Sequence, residues 1–387
     1  MTTTYYNGAI YTGYEVLRRH AVVTEGDRIV KIMPWDGGHR PAGEGGGPVP
    51  ADGTHDPTWI DLEGGNLAPA FIDLQIYGGD GLLFSDHPSV ASIQATYRYS
   101  LAGGAAYIQP TMATQSDELI GEAIDAVTEH QALGLPGVIG LHLEGPYINP
   151  VKRGAHREDL IQVPEAGKLK ALLATAGNHL SMMTLAPERC DPELIRLLIE
   201  TGVRVSAGHT NATYAEALRG FDLGIPAATH LFNAMTPLGH RAPGMAGAIL
   251  DRGGIYTSIV ADGHHVDFAV IRLAKRLLGD KLYLITDAVT ANTEGVYQHQ
   301  LEGDKYVLPN GTLSGSALTM IKAVQNCVEE VQIPLDEALR MASLYPARVM
   351  GLDGRLGAIR PGMEASLVWF DKDYQVRKVF VGYEHFL

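Results

Sequence analysis

Between residues 61 and 345 short apolar runs alternate with amphipathic helical segments, and this alternation restricts the fold more than any other feature of the chain. Parallel strands cannot be joined by tight turns; each needs a crossover, usually a helix, and repeated strand–helix units build a parallel sheet faced by helices. Eight candidate strands can be read: NLAPAFIDLQIY, AAYIQPTM, VIGLHLEGPY, LSMMTLAPE, VRVSAGHT, AATHLFNAM, YTSIVADGHHV and LYLITDAV. Eight such units over a span near the ~250 residues typical of the architecture predict a TIM (β/α)8 barrel. Helical periodicity in DELIGEAIDAVTEHQAL, DPELIRLLIETG and DFAVIRLAKRLLG fills intervals between them, with Asp117, Asp191 and Asp267 at expected N-caps and Gly202 and Gly279 after the last turns.

The two ends of the chain read differently. Residues 1–60 carry short alternating strands and then DGGHRPAGEGGGPVPADG at 36–53, a Gly/Pro-rich loop or hairpin excursion. Residues 346–387 are again strand and turn without helical periodicity. The predicted organisation is a barrel over 61–345 and a small β-sandwich domain formed by both termini, 1–60 and 346–387. A hydrophobic fraction of 45% against 19% charged residues is enough for so large a buried core. The net charge of −14 argues against nucleic acid and anionic membranes as partners, so an anionic substrate needs a local basic pocket. Two cysteines, no membrane-length apolar run and no basic–apolar leader at the N-terminus lead to the expectation of a cytoplasmic protein.

The polar residues fall where a barrel builds its active site, at the C-terminal ends of the strands: Gln75, Glu144, His209, His230, His265 and Asp287. One histidine near a strand end is more often a hydrogen-bonded structural residue than a ligand. Recurrence at the same end of strands three, five, six, seven and eight has no structural cause. Glu144, His209 and His230 form a carboxylate–imidazole set suited to one divalent ion, Zn²⁺ or another borderline cation such as Fe²⁺, with positions left for water. His142 is either a supporting partner or a packed residue. Asp287 can take a proton from an activated water and return it to a leaving group, and His265 can hydrogen-bond a carbonyl as charge grows on it. His156 and Arg241 are the candidate anion contacts, whereas Lys152 and Arg153 read as solvated loop charges. In FIDLQIY, Gln75 and Tyr77 stand where many metal hydrolases place His-x-His; an amide and a protonated phenol are weak ligands, so the expectation is one ion per chain.

The motifs HLEGPYINPVKRGAH, GHTNATY, THLFNAMTPLGHRAPGMAGA, ADGHHVD, TDAV and GTLSGSALTM, taken in this order, resemble the N-acetylglucosamine-6-phosphate deacetylases of the amidohydrolase superfamily. The resemblance implies hydrolysis of the acetamide of a 6-phosphorylated amino sugar, with Glu144, His209 and His230 as metal ligands, Asp287 as acid/base and His265 orienting the carbonyl. It also implies sugar contacts from Ala155, Asn233, Ala234, Asp262, Gly263, His264, His265, Leu313, Ser314 and Gly315. His156 and Arg241 would lie at the phosphate end, with Arg241 reaching across a homodimer interface. An N-acetylgalactosamine 6-phosphate deacetylase, another amidohydrolase, and a non-catalytic sugar-phosphate-binding protein are the alternatives.

Overall fold

A computed structural model describes residues 2–35, 58–382 and 384–386; the Gly/Pro-rich stretch at 36–53 lies outside the described residues. The chain divides into two compact units, one of Met1–Ile72, Leu101–Ala106 and Pro334–Leu387, the other of Asp73–Ser100 and Tyr107–Ile333.

The expected eight strands all form, as one parallel sheet in sequential order: β1 (Phe71–Ile76), β2 (Ala105–Met112), β3 (Leu141–Glu144), β4 (Leu180–Leu185), β5 (Arg204–Ala207), β6 (Ala227–Ala228), β7 (Tyr256–Ile259) and β8 (Leu282–Leu284). Closure falls just past β8, where the Asp287 amide donates to Gln75 O (3.0 Å) and the Tyr77 amide to Ala288 O (2.9 Å). Every residue of β1 is buried, as expected of a barrel strand covered on both faces.

One expected run divides. NLAPAFIDLQIY becomes Asn66–Pro69 and Phe71–Ile76. Pro69 has no N–H to continue a ladder, and Asn66–Pro69 pairs instead with Ala9–Tyr11 and Ser366–Phe370. In that unit a four-stranded and a six-stranded sheet share a core of Tyr5, Ile10, Val22, Ile29, Leu67, Leu367 and Phe380. Tyr5 and Phe380 meet edge-on at 4.8 Å.

The helices keep their expected places with corrected caps. Asp117 lies inside the helix Asp117–Ala132, whose cap is Ser116, accepting from the Leu119 amide at 3.3 Å. Asp191 stands at the cap of Pro192–Glu200 without a side-chain bond, and Pro192 occupies the first helical position. Asp267 caps Phe268–Leu278 by accepting from the Ala269 amide at 2.8 Å.

Beneath the C-terminal face the barrel interior is polar. His142, the ambiguous neighbour of Glu144, is fully enclosed, with Nδ1 2.9 Å from Leu74 O and Nε2 2.8 Å from Thr184 Oγ1. A carbonyl only accepts, so Nδ1 carries the hydrogen and Nε2 accepts from the threonine. Thr184, Thr229 and Ser206 continue the chain of bonds at 2.8 and 2.6 Å. Burial lowers the His142 pKa from 6.5 to about 4. Its neutrality contributes stability in full above the unfolded pKa near 6.5, and that contribution is lost as pH falls through 6.5 to 4. Urea unfolding of wild type should therefore weaken across this window by up to about 3 kcal/mol more than that of His142→Gln; parallel pH profiles would remove this role.

Candidate active site

The functional side chains converge because the backbone turns sharply where the strands end. Glu144 is the last residue of β3. His209, His230 and Asp287 lie just past β5, β6 and β8, each in the left-handed region, with φ of +46°, +35° and +56°. Such conformations cost about 1–3 kcal/mol each in a non-glycine residue and persist only where the surroundings fix them. Gly208 makes one of these turns possible: a Cβ there would stand 2.7 Å from Thr184 Cγ2 and 3.0 Å from Thr229 Cβ.

Glu144 is the hub. Its Oε1 lies 3.0 Å from His230 Nε2 and 3.2 Å from His209 Nε2, and its Oε2 lies 3.0 Å from His156 Nε2. Tyr77 donates its phenol hydrogen to Oε2, and burial together with the nearby carboxylates raises the Tyr77 pKa well above its ordinary value, so it stays a donor. Gln75 Nε2 reaches three oxygens: Tyr77 Oη (2.8 Å), Glu144 Oε1 (3.0 Å) and Asp287 Oδ1 (2.8 Å). The Gln75–Tyr77 pair thus fills with neutral hydrogen bonds the space beside Glu144 and Asp287.

The hydrogen bonds assign the rings. His209 Nδ1 donates to Lys152 O (3.0 Å), leaving a lone pair on Nε2 that faces the Glu144 carboxylate. His156 Nδ1 accepts from the Thr114 amide (3.2 Å), so its Nε2 carries a hydrogen and donates to Glu144. His265 Nδ1 donates to Asp262 Oδ2 (2.6 Å), so in the neutral ring Nε2, 3.8 Å from Asp287 Oδ2, is an acceptor.

The two carboxylates are pushed apart. Burial raises Glu144, but the imidazoles packed around it, His209 first and then His156 and His230, outweigh it and hold the group well below the usual range. Burial lifts Asp287 to about 8, with His230 opposing and Glu144, Asp262 and Asp73 reinforcing the rise. One carboxylate is therefore a fixed anion and the other a proton carrier, the division expected of a ligand and an acid/base.

The donor set fits a divalent cation. Ligand atoms of Glu144, His156 and His209 all lie within 4.8 Å of one another. His230 Nε2 approaches His209 Nε2 to 3.0 Å. Lone pairs of a carboxylate and an imidazole aimed at each other are reconciled by a cation. The hydrogen on His156 Nε2 makes it the least suited of the three rings.

A cavity of about 170 Å³ opens on this cluster, and its lining includes Ala155, His156, Asn233, Ala234, His265, Leu313, Ser314 and Gly315 together with Glu144, His209, His230 and Asp287. His156, expected at the phosphate end, instead lies against Glu144, because the turn closed by the His156 amide on Arg153 O (3.0 Å) folds it back over the cluster. Asp262 and Gly263 are outside the lining, Asp262 accepting from the amides of His264 (2.9 Å) and His265 (2.8 Å). His264 turns away to Asp304 (2.8 Å). Arg241 is exposed and outside this lining among the described residues. Tyr297 and His299 line the cavity without having been expected; the Y-x-H spacing, which puts both on one face of an extended segment, was the available signal.

A parallel barrel whose strand ends gather a carboxylate, imidazoles and a second, protonatable carboxylate defines the class of metal-dependent hydrolases. The chain belongs to the Amidohydrolase family, which it matches over residues 66–384, and it matches the NagA composite domain over 5–37. It is 37% identical over 383 residues to the N-acetylglucosamine-6-phosphate deacetylase of Haemophilus influenzae, covering 96% of this chain and 95% of the relative. It is 36% identical to the N-acetylgalactosamine-6-phosphate deacetylase of Escherichia coli O157:H7, covering 81% and 86%. The crystal structure of N-acetylglucosamine-6-phosphate deacetylase from Pasteurella multocida superposes with a TM-score of 0.91 at 37% identity, covering all of both chains.

Elemental analysis of the purified protein should find close to one divalent ion per chain, and His209→Ala should lose it. Two tightly held ions, or undiminished metal in His209→Ala, would overturn the ligand assignment.

Proposed function

We propose that the chain hydrolyses the acetamide of N-acetylglucosamine 6-phosphate, releasing acetate and glucosamine 6-phosphate. The observation that carries the chemistry is the split between Glu144 and Asp287 within one cavity; the substrate follows from relatives matched over nearly the whole chain.

Glu144, His209 and His230 would hold a divalent ion, Zn²⁺ by its donor set, which when bound acidifies a water toward a pKa of ~7 and polarises a carbonyl. Asp287 removes the proton from the attacking water as the new C–O bond forms. The neutral donor at the cluster is His156, whose Nε2–H is fixed by the Thr114 amide; it points at Glu144 Oε2, and once the ion took up that carboxylate it would be released to bond the carbonyl oxygen as it gains charge. His265 was expected in that role, but its hydrogen is used on Asp262, and it serves better as an acceptor beside Asp287. When the C–N bond breaks, Asp287 returns its proton to the amine nitrogen, without which the amine is a poor leaving group. Gln75 holds Asp287 Oδ1 throughout.

On this reading the chain works as a cytoplasmic homodimer. Arg241, exposed on its loop, reaches the phosphate in a neighbouring subunit's cavity. No helix among the described residues is long and apolar enough to cross a membrane. The E. coli relative supports the galacto epimer as a second reading.

Acetate release from N-acetylglucosamine, its 6-phosphate and N-acetylgalactosamine 6-phosphate tests this. Loss of an ion-paired anchor costs about 2–5 kcal/mol, so kcat/KM for the unphosphorylated sugar should be at least ~30-fold lower; equal rates would refute the proposal. Asp287→Asn should retain its metal while kcat drops about 10²–10⁴-fold. Near-normal turnover would remove Asp287 from the role.

A further inference from the structure

The cavity has polar wall residues that the reaction does not use, among them Ser85, Ser314 and His299. His299 is 5% exposed, yet its ring lines the cavity. Nδ1 lies 3.0 Å from Ser314 Oγ, and Nε2 has no partner among the described residues. The ring is held in place rather than mobile: it lies nearly parallel to Tyr297, 9° between planes and 6.5 Å between centroids, and Tyr297 is itself tied by its hydroxyl to Thr114 O at 2.6 Å. Tyr297 stands 6.3 Å from the His156 ring, so His299 lies one ring further out along the same wall from the metal-type cluster. Around Tyr297 this wall is apolar, a packed group of Tyr77, Leu83, Ala113 and Val289.

This ring nitrogen of His299 opens on the cavity with no protein partner among the described residues, so a ligand group can take it up. Burial lowers the His299 pKa to about 4, so the ring enters the reaction neutral and has no charge to offer a phosphate. A hydroxyl suits it in either tautomer, since a hydroxyl both donates and accepts. The acetamide is committed to the cluster around Glu144 and Asp287, which leaves the sugar ring beside the outer wall.

We propose that His299 reads a ring hydroxyl of the amino sugar and is a specificity-determining residue of this site. The inference rests on the deacetylation proposed above. A residue that bonds one hydroxyl discriminates against sugars in which that hydroxyl is missing or inverted, because its nitrogen is then left unsatisfied.

The test compares wild type, His299→Phe and His299→Gln on N-acetylglucosamine 6-phosphate, its C4 epimer, and analogues lacking each ring hydroxyl in turn. His299→Phe keeps the ring against Tyr297 and removes both nitrogens; His299→Leu carries the same expectation should that variant not fold. For the full substrate kcat/KM should fall about 10-fold, chiefly through KM. For one deoxy analogue wild type and variant should be equal, and His299→Gln should recover part of the discrimination. Unchanged discrimination in an active His299→Phe, or an equal loss on every analogue, would overturn the assignment of His299 alone. Failure of wild type to release acetate from any phosphorylated sugar would instead overturn the reaction and this inference with it.

Discussion

A carboxylate taken out of water must be compensated or neutralised, and Glu144 is only 2% exposed. The protein surrounds it with His156, His209, His230, Tyr77 and Gln75, drawn from the end of β1 and from the loops beyond β3, β5 and β6. Compensation on this scale keeps Glu144 ionised and so available as a ligand. The same amide that bonds Glu144 also bonds Asp287, which is left with less compensation, so its pKa is lifted to about 8 and both its ionised and protonated forms are within reach near neutrality. The chemistry of the site is the unequal sharing of one set of donors between two carboxylates.

The support for this arrangement lies underneath it. Asp73 accepts from the Thr286 hydroxyl and amide and from the Gln75 amide, joining the ends of β1 and β8 directly below Gln75 and Asp287. His142 links β1 to β4 in the same layer. Most barrel interiors are filled with branched apolar side chains. Here the layer beneath the cluster is hydrogen-bonded, and directional bonds fix strand ends more narrowly than apolar contact does.

Much of this was legible in the sequence. Strand–helix alternation predicted the barrel, and the placement of polar residues at strand ends predicted Glu144, His209, His230, His265 and Asp287 as neighbours. These follow from local periodicity and a rule of the architecture. What could not be read depends on contacts between distant segments. The run divides after Pro69 because Asn66–Pro69 has its partners at Ala9–Tyr11 and Ser366–Phe370. His156 reaches Glu144 through a turn that its neighbours do not signal. The part played by Gln75 required knowing that Glu144 and Asp287 flank it. Roles of individual rings were the least legible, since the choice between His156 and His265 as donor rests on which nitrogen a backbone amide or Asp262 has already claimed.

The left-handed turns at His209, His230 and Asp287 bear on how such a centre can be moved between proteins. Grafting the three side chains onto another barrel would reproduce their identities but not their aim, because each Cα–Cβ direction is set by a disfavoured backbone angle that ordinary loops avoid. A transplant would have to carry the residues before and after each turn, Gly208 among them, and the threonines that crowd it. The inherited unit is the bent strand end, and the side chain is only its most visible part.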